Sequence, residues 1–510
     1  MAVNNAAVTQ PDIDTLRLIN ILADRKPEVD FPTKLLINGK WQARKTVLPV
    51  VNPWDGSTIC DVAAASADDV AAAVASAAAG FLENRSLPAH RRSGILHRAA
   101  DLLAQESEAF TDTIIAESGK PRRYASGEVA RAQQTLRFSA EEARRVHGET
   151  IPMDAAPGSE ARRGFFVRQP LGIVAAITPF NFPLNLVCHK VTPALAAGNS
   201  VVLKPASATP LSALRLGAIL LEAGLPPRSL NIVIGSGPDI GMELVRDVRV
   251  RMITFTGSAA AGEAIKAGSG LKKVTLELGS NSGAIVDETG DLDRAVRSCL
   301  VGGFAYSGQV CIHTQRLYLH DSIAEEFTNR FVAGARGLAC GDPALAETEI
   351  GPVIEAAALE KAVAVIREAQ QAGARLLCGG EVDGHILTPT VLTDVTADMP
   401  VVCEETFAPI VTIETFSDFA QGIGKFNAGS SAGNYAYGLA AGVFTRDVGR
   451  ALAAADQLEV GNVYVNDSAT FRVDHQPYGG IRDSGLGREG PRFAIEEMTD
   501  IKMVSFNVGP

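Results

Sequence analysis

Three side chains in this sequence are of the right type to attack a carbon, take up a proton or donate to a developing charge: Cys311, Glu277 and Asn181. Cys311 closes the run Ser307-Gly-Gln-Val-Cys311, a small-residue turn before an apolar strand candidate at Gln315–Leu319. A cysteine is most often a small buried hydrophobe, but its thiolate is a strong nucleophile. Glu277 lies between Leu276 and Leu278 at the end of another apolar run. A carboxylate there is costly unless it is paired or has a task, and burial drives its pKa toward neutrality. Asn181 stands between Phe180 and Phe182, ahead of Pro183, where asparagine commonly forms an Asx turn.

The other six cysteines, Cys60, Cys188, Cys299, Cys340, Cys378 and Cys403, make no C-x-x-C pair, and no histidine cluster stands near any of them. This argues against a disulfide framework and against structural zinc. No metal is expected, and a reduced, cytoplasmic setting fits best. The 510 residues, 46% hydrophobic and 21% charged, suggest two or three domains around a sizeable core. A formal net charge of −11 leaves no basic footprint for nucleic acid or an anionic membrane. The opening residues lack the basic start and apolar stretch of a signal peptide, and no run has the length of a membrane span.

The elements that must position the three side chains can be read from periodicity. A short amphipathic helix is expected over 12–24, and residues 66–147 read as helical, interrupted at Gly119-Lys-Pro121. Short apolar runs follow at Leu171–Ile177, Ser200–Leu203, Leu230–Ile234, Met252–Phe255, Val274–Leu276 and Gly283–Val286, with helical stretches between the first four. Apolar strands alternating with helices indicate a doubly wound parallel sheet, whose ligands lie beyond the carboxyl ends of the strands. A second α/β set runs from about 280 to 470, with strands expected at Thr388–Leu392, Ala440–Phe444 and Asn462–Asn466 and helices at Ile323–Ala335 and Ala357–Ala372. The segment Asn427–Tyr437 reads as a surface loop, Tyr478–Gly490 as a glycine-rich loop and Val504–Val508 as a terminal strand. The expected division is a cofactor domain over 1–147 and 171–279, a catalytic domain over 280–480, and a bridging segment of 148–170 with 481–510 whose strands could pair between subunits.

A strict G-x-G-x-x-G fingerprint is missing. Six other motifs stand in order: Thr178-Pro-Phe-Asn-Phe-Pro183, Val202-Leu-Lys-Pro205, Phe255-Thr-Gly-Ser258, Leu276-Glu-Leu-Gly279, Ser307-Gly-Gln-Val-Cys311 and Glu404-Glu-Thr-Phe-Ala-Pro409. Together they resemble the aldehyde dehydrogenase superfamily from about residue 35 to about 505. The resemblance implies an α/β fold with a Rossmann-like parallel-sheet cofactor domain, an α/β catalytic domain and a small β oligomerisation segment. It implies Cys311 as the nucleophile that forms a thiohemiacetal and then a thioester, Glu277 as the base that activates the hydrolytic water, and the Asn181 amide with the Cys311 N–H as an oxyanion hole. For the cofactor, NAD or NADP, it points to Thr178, Pro179, Phe180, Lys204, Ser207, Gly237, Gly257, Ser258, Gly262, Leu278, Glu405 and Phe407. Ser207 stands where NAD-preferring members often carry Glu, and it removes a charge that would repel a 2′-phosphate.

The run Phe471–Gly490 looks most like a branch near the non-phosphorylating glyceraldehyde-3-phosphate, lactaldehyde and phosphonoacetaldehyde dehydrogenases. Arg131 and Arg472 match positions that clamp an anion there, while a third arginine, just before the nucleophile, is Val310 here and argues against phosphate. The expected substrate is a small hydroxylated or anionic aldehyde held by Arg131 and Arg472, with His475 a further candidate donor. For either arginine a salt bridge competes with that role, and for His475 simple packing does. The resemblance also implies a homodimer or homotetramer. Other readings are a CoA-acylating semialdehyde dehydrogenase, which would commonly lack Glu277, a thiol esterase that uses Cys311 without hydride transfer, and a binding protein that has kept only the fold.

Overall fold

The structure, a computed structural model, describes residues 32–509; the helix expected over 12–24 lies outside them. Strands Leu230–Ile232, Ser200–Lys204, Ile173–Ile177, Val250–Thr256 and Lys273–Glu277 lie side by side and parallel in the middle of an eight-stranded sheet. Every residue of Ser200–Lys204 and Ile173–Ile177 is buried, because helices Ala67–Ser86 and Asn185–Ala197 both pack on these strands. Ser66 starts the first of these helices with a reciprocal cap, its side chain bonded to the Asp69 N–H and the Asp69 side chain to the Ser66 N–H. One edge of the sheet is formed by Leu35–Ile37 and Lys40–Gln42. The other is formed by Gly485–Leu486, antiparallel to the Glu277 strand.

The second sheet has seven strands in the order Arg375–Cys378, Thr390–Thr393, Ile410–Phe416, Arg316–His320, Gly283–Val286, Ala440–Phe444 and Asn462–Val465, and all neighbours but the first two run parallel. Helices Leu292–Phe304 and Asp321–Arg336 cover it, and Phe304, Phe331 and Phe327 stack in sequence with ring centroids 5.7 Å apart. Away from both sheets, Arg162–Pro170 pairs antiparallel with Thr499–Asn507 along its whole length.

Three departures from the sequence reading shape the surroundings of the site. The segment read as a loop over Asn427–Tyr437 begins inside helix Phe419–Ser431. Gly429 and Ser430 are buried there, held by Asn281 Nδ2 donating to the Gly429 carbonyl at 2.9 Å and Arg316 Nη2 donating to Ser430 Oγ at 2.7 Å. Small residues that look loop-like in sequence are small here because a buried arginine and an asparagine reach across to them. The glycine-rich stretch after Tyr478 contributes the Gly485–Leu486 edge strand to the eight-stranded sheet, while Thr499–Asn507 pairs with Arg162–Pro170. The strand Ile410–Phe416 has no counterpart in the sequence reading. It lies between two parallel neighbours at the centre of the second sheet and is buried over its first four residues.

Between helix Leu292–Phe304 and strand Arg316–His320 the chain makes a turn with three consecutive left-handed residues: Tyr306 at φ 50°, Ser307 at φ 55° and Gly308 at φ 71°. For residues with a Cβ this conformation costs of order 1 kcal/mol or more each, so the surroundings must enforce it. Tyr306 Oη donates to the Ser118 carbonyl at 3.0 Å and Ser307 Oγ to the Gly351 carbonyl at 2.8 Å, while Gln309 Oε1 accepts from the Ile354 N–H at 2.9 Å. A Cβ on Gly308 would stand 2.1 Å from the Ala408 carbonyl oxygen. Gly308→Ala is therefore expected to cost about 2 kcal/mol or more and to displace the turn. Urea unfolding measures the first effect and the loss of Cys311 alkylation by iodoacetamide the second. Wild-type values for both would show that the turn is not rigid.

Candidate active site

The strand ends of the first sheet bring the candidate residues together. Thr256 pairs in register with Glu277, and Ile177 with Lys204. Thr178–Asn181, Lys204, Gly257-Ser258 and Glu277 therefore leave the sheet at one edge, the place where a doubly wound sheet takes its ligands. A cavity of about 370 Å³ there is lined by Thr178, Pro179, Phe180, Asn181, Lys204, Gly237, Gly257, Ser258, Leu278, Glu405, Phe407 and Cys311, among others.

This lining fits a dinucleotide. Ser258 caps helix Ala259–Gly268, so that helix presents its N-terminus at the cavity wall. Thr178 Oγ1 and Thr256 Oγ1 are buried and without a partner, and a bound polar ligand would satisfy them. Burial pushes the Lys204 amine down to about 8; its one hydrogen bond, at 3.3 Å, goes to the adjoining Pro205 carbonyl. Burial likewise lifts Glu405 to about 7, and its Oε1 accepts from the Ser280 N–H at 2.9 Å. The Phe180 and Phe407 rings meet edge to face at 5.8 Å.

Two residues expected at this cavity do not line it. Ser207 spends its hydroxyl on the Gly235 carbonyl at 2.8 Å. Gly262 stands behind Leu278, whose Cδ2 would be 2.5 Å from a Cβ there, so its smallness lets Leu278 form the wall.

On the other side of Cys311 lies a second cavity, of about 250 Å³, lined by Phe182, Tyr306, Val310, Ile312, Tyr478, Arg131 and Arg472, among others. Cys311 and Leu186 line both cavities. The Cys311 backbone N–H makes no hydrogen bond among the described residues. Asn181 Nδ2 donates to the Gln309 carbonyl at 2.8 Å, which fixes the amide beside the nucleophile turn. The Cys311 thiol is pushed up to about 11, first by burial, and the negative charges of Glu277 and Glu405 add to the rise. Both carboxylate oxygens of Glu277 are buried and without a partner. Desolvation, followed by the nearby Glu489 charge, holds its pKa well above the usual carboxylate range. A carboxylate in that state can take a proton near neutral pH.

Arg131 and Arg472 face the second cavity from within a network of charges that the sequence does not reveal. Arg131 forks onto Asp474 through Nε at 3.1 Å and Nη2 at 2.8 Å. Asp474 also accepts from Asn185 Nδ2 at 3.0 Å and lies 2.9 Å from His189 Nε2. Arg472 Nη2 donates to Glu489 at 3.2 Å, and Glu489 accepts from the fully buried Lys190 at 2.7 Å. Both arginines thus make salt bridges, yet Nη1 of each donates to no described residue. His475 does not join them: it is exposed, with its ring 4.7 Å from that of Phe138 and outside the cavity lining. Sequence reasoning missed Asp474, His189, Lys190, Glu489 and Tyr478 as site residues. Nothing in their local patterns marks them, because they come from different elements and meet only in the fold.

The model of the aldehyde dehydrogenase family matches residues 41–504. A 3-sulfolactaldehyde dehydrogenase of Priestia aryabhattai is 45% identical over 474 residues, spanning 93% of this chain and 98% of its own. The crystal structure of aldehyde dehydrogenase 21 from Physcomitrella patens, in complex with the reaction product succinate, superimposes with a TM-score of 0.90 at 38% identity, covering 93% of this chain and 98% of that one. The glyceraldehyde-3-phosphate dehydrogenase GapN of Methanocaldococcus jannaschii, complexed with NADP, does so with a TM-score of 0.86 at 36% identity, covering 91% and 100%. Among the described residues no helix is long and apolar enough to cross a membrane.

Asp474 is held well below the usual carboxylate range by its His189 and Arg131 partners, which outweigh its burial. Asp474→Ala strands three polar partners and is expected to cost about 3 kcal/mol in urea unfolding at pH 7. A folded pKa below the unfolded one means that this stability is present above about pH 4 and is lost as pH falls further. The gap between wild type and variant should therefore narrow in acid; a gap that widens there would contradict the ion-pair assignment.

Proposed function

The chain belongs to the aldehyde dehydrogenase family and oxidises an aldehyde with NAD(P), and from that premise we propose that Cys311, Glu277 and Asn181 carry the reaction on a small anionic aldehyde. The observation that carries this reading is that Cys311 faces both the dinucleotide-like cavity and the arginine-lined one.

Cys311 Sγ adds to the aldehyde carbon, and the oxygen that gains charge is met by the Asn181 amide and the Cys311 N–H, both uncharged donors. Thr178, Lys204, Gly257, Ser258, Glu405 and Phe407 would hold NAD(P), which would supply the hydride acceptor for oxidation of the Cys311 adduct to the thioester. Glu277 then takes a proton from water, and the hydroxide so formed hydrolyses the thioester to the free acid. A raised pKa suits Glu277 to this task, and a carboxylate at this position favours water over CoA as the acceptor.

The anion is read by Arg131 Nη1 and Arg472 Nη1, the donors that the salt bridges leave free. The small volume and the apolar wall of Phe182, Tyr306, Val310 and Ile312 favour a short substrate. The names of the relatives support the same class, since sulfolactaldehyde and glyceraldehyde 3-phosphate carry a negative charge, as does the succinate of the plant complex. The absence of a carboxylate at Ser207 supports acceptance of NADP beside NAD. Seven unpaired cysteines fit a cytoplasmic setting. The paired strands Arg162–Pro170 and Thr499–Asn507 expose Phe165, Ile501, Met503 and Phe506, a surface suited to a second copy of the chain in a homodimer or homotetramer.

Cys311→Ala is expected to abolish NAD(P)H formation, measured by absorbance. Arg131→Ala lowers kcat/KM for succinic semialdehyde about tenfold or more while changing that for hexanal less than about threefold; equal losses on both would remove the anion reading. Light scattering is expected to give a mass of two or four chains, and deletion of 499–510 to reduce it. A monomeric wild type would overturn the assembly.

A further inference from the structure

Tyr478 has no part in the steps above, yet its hydroxyl lies 3.2 Å from Cys311 Sγ. It is the one side chain hydrogen-bonded to that sulfur among the described residues. The ring is held on three sides. Backbone bonds tie it to Glu489, from the Tyr478 N–H at 3.1 Å and to the Tyr478 carbonyl at 2.7 Å. The Arg472 guanidinium carbon stacks 3.6 Å from the ring centroid. The residue is 2% exposed, among Tyr306, Val310 and Ile312.

The nucleophile needs what this contact supplies. Burial pushes the Cys311 thiol up to about 11, the charges of Glu277 and Glu405 push the same way, and the Tyr478 hydroxyl and the Arg472 charge oppose them. Tyr464, nearby, is affected by the sulfur's charge but bonds to Gln476, at 2.7 Å, rather than to Cys311. The Tyr478 phenol is itself held well above its ordinary value by burial and by the sulfur's charge. Burial thus favours the protonated phenol, which can serve as a donor to the sulfur.

We propose that Tyr478 is a further catalytic residue, whose O–H donates to Cys311 Sγ whenever the sulfur carries negative charge. The inference rests on Cys311 being the nucleophile. Before attack, the thiol proton passes to water in the cavity and Tyr478 holds the thiolate. The Sγ lone pair then forms the C–S bond. In hydrolysis, Glu277 takes a proton from water, the hydroxide adds to the thioester carbon, and the C–S bond breaks with its electron pair returning to Sγ, where Tyr478 donates again. The acid product ionises and Glu277 gives its proton to water. Tyr478 is neither acid nor base in any step. It strengthens the nucleophile and improves the leaving group through one charge-assisted hydrogen bond.

The test is Tyr478→Phe in the full chain, which removes one buried oxygen and keeps the ring under Arg472. Alkylation of Cys311 by iodoacetamide is followed by mass spectrometry of its peptide from pH 6 to 11, with the thermal midpoint recorded to confirm folding. The inflection is expected to move to higher pH, and the rate at pH 7.5 to fall about three- to tenfold, since a thiolate of higher pKa is scarcer but more nucleophilic. Tyr464→Phe removes a hydroxyl from the same cluster and should leave the profile unchanged. A Tyr478→Phe profile that superimposes on wild type, or an equal shift in Tyr464→Phe, overturns the proposal. Aldehyde oxidation that survives Cys311→Ala would instead overturn the nucleophile assignment and is scored separately.

Discussion

The left-handed turn Tyr306-Ser-Gly308 is the constraint on which the rest of the site depends. It lets the chain leave helix Leu292–Phe304, reverse, and place Cys311 where the two cavities meet before entering strand Arg316–His320. Neither tyrosine nor serine adopts this backbone without cost. The offset comes from bonds made far away in sequence, to Ser118, Gly351 and Ile354. Gly308 is required twice, by its own φ and by the closeness of the Ala408 carbonyl. The segment after Glu405 is shaped against the same turn and itself carries a left-handed residue, Phe407 at φ 48°. The turn before Cys311 and the segment after Glu405 thus pack directly against each other, which holds the Cys311 sulfur in place without a ligand to organise it.

Around that fixed point the protein buries an unusual amount of charge. Lys190 and Glu489 are an ion pair out of solvent, and Lys120 and Glu128 are another. Lys120 also sits 3.7 Å over the Phe182 ring, and Glu128 accepts from the Leu184 and Asn185 N–H groups where helix Asn185–Ala197 begins. Such pairs add little net stability, but losing one partner is expensive. Their effect here is geometric: Glu489 also holds Arg472 and the Tyr478 backbone, and Glu128 holds the start of helix Asn185–Ala197. Glu277 is the exception. Its carboxylate has no hydrogen-bond partner among the described residues, and that burial, reinforced by the Glu489 charge, raises its proton affinity. The same dry surroundings work against Cys311 by raising its pKa, so a burial that helps the base must be corrected at the nucleophile by Tyr478 and Arg472.

The sequence by itself determined the alternation of apolar strands and helices, and with it a parallel sheet whose carboxyl edge holds Thr178, Asn181, Lys204, Gly257 and Glu277. Each of these ends a strand or follows one within four residues, and strand period and burial are local properties. Cys311 was legible only through its place in the series of six motifs, since a cysteine by itself reads as a small buried hydrophobe. What only the tertiary structure decided are contacts between segments far apart in the chain. Asp474 neutralising Arg131 spans helix and loop, and Tyr478 reaching Cys311 spans 167 positions. Residues 427–431 finish helix Phe419–Ser431, where local composition suggested a loop from Asn427 onward, because Arg316 and Asn281 hold that end. His475, read in sequence as a further candidate donor with simple packing as the competing role, lies against Phe138 and outside the cavity. Local pattern records which face of an element is buried. It carries no record of which charge or hydroxyl from another element will stand opposite, because a pairing energy depends on a distance that only the folded chain sets.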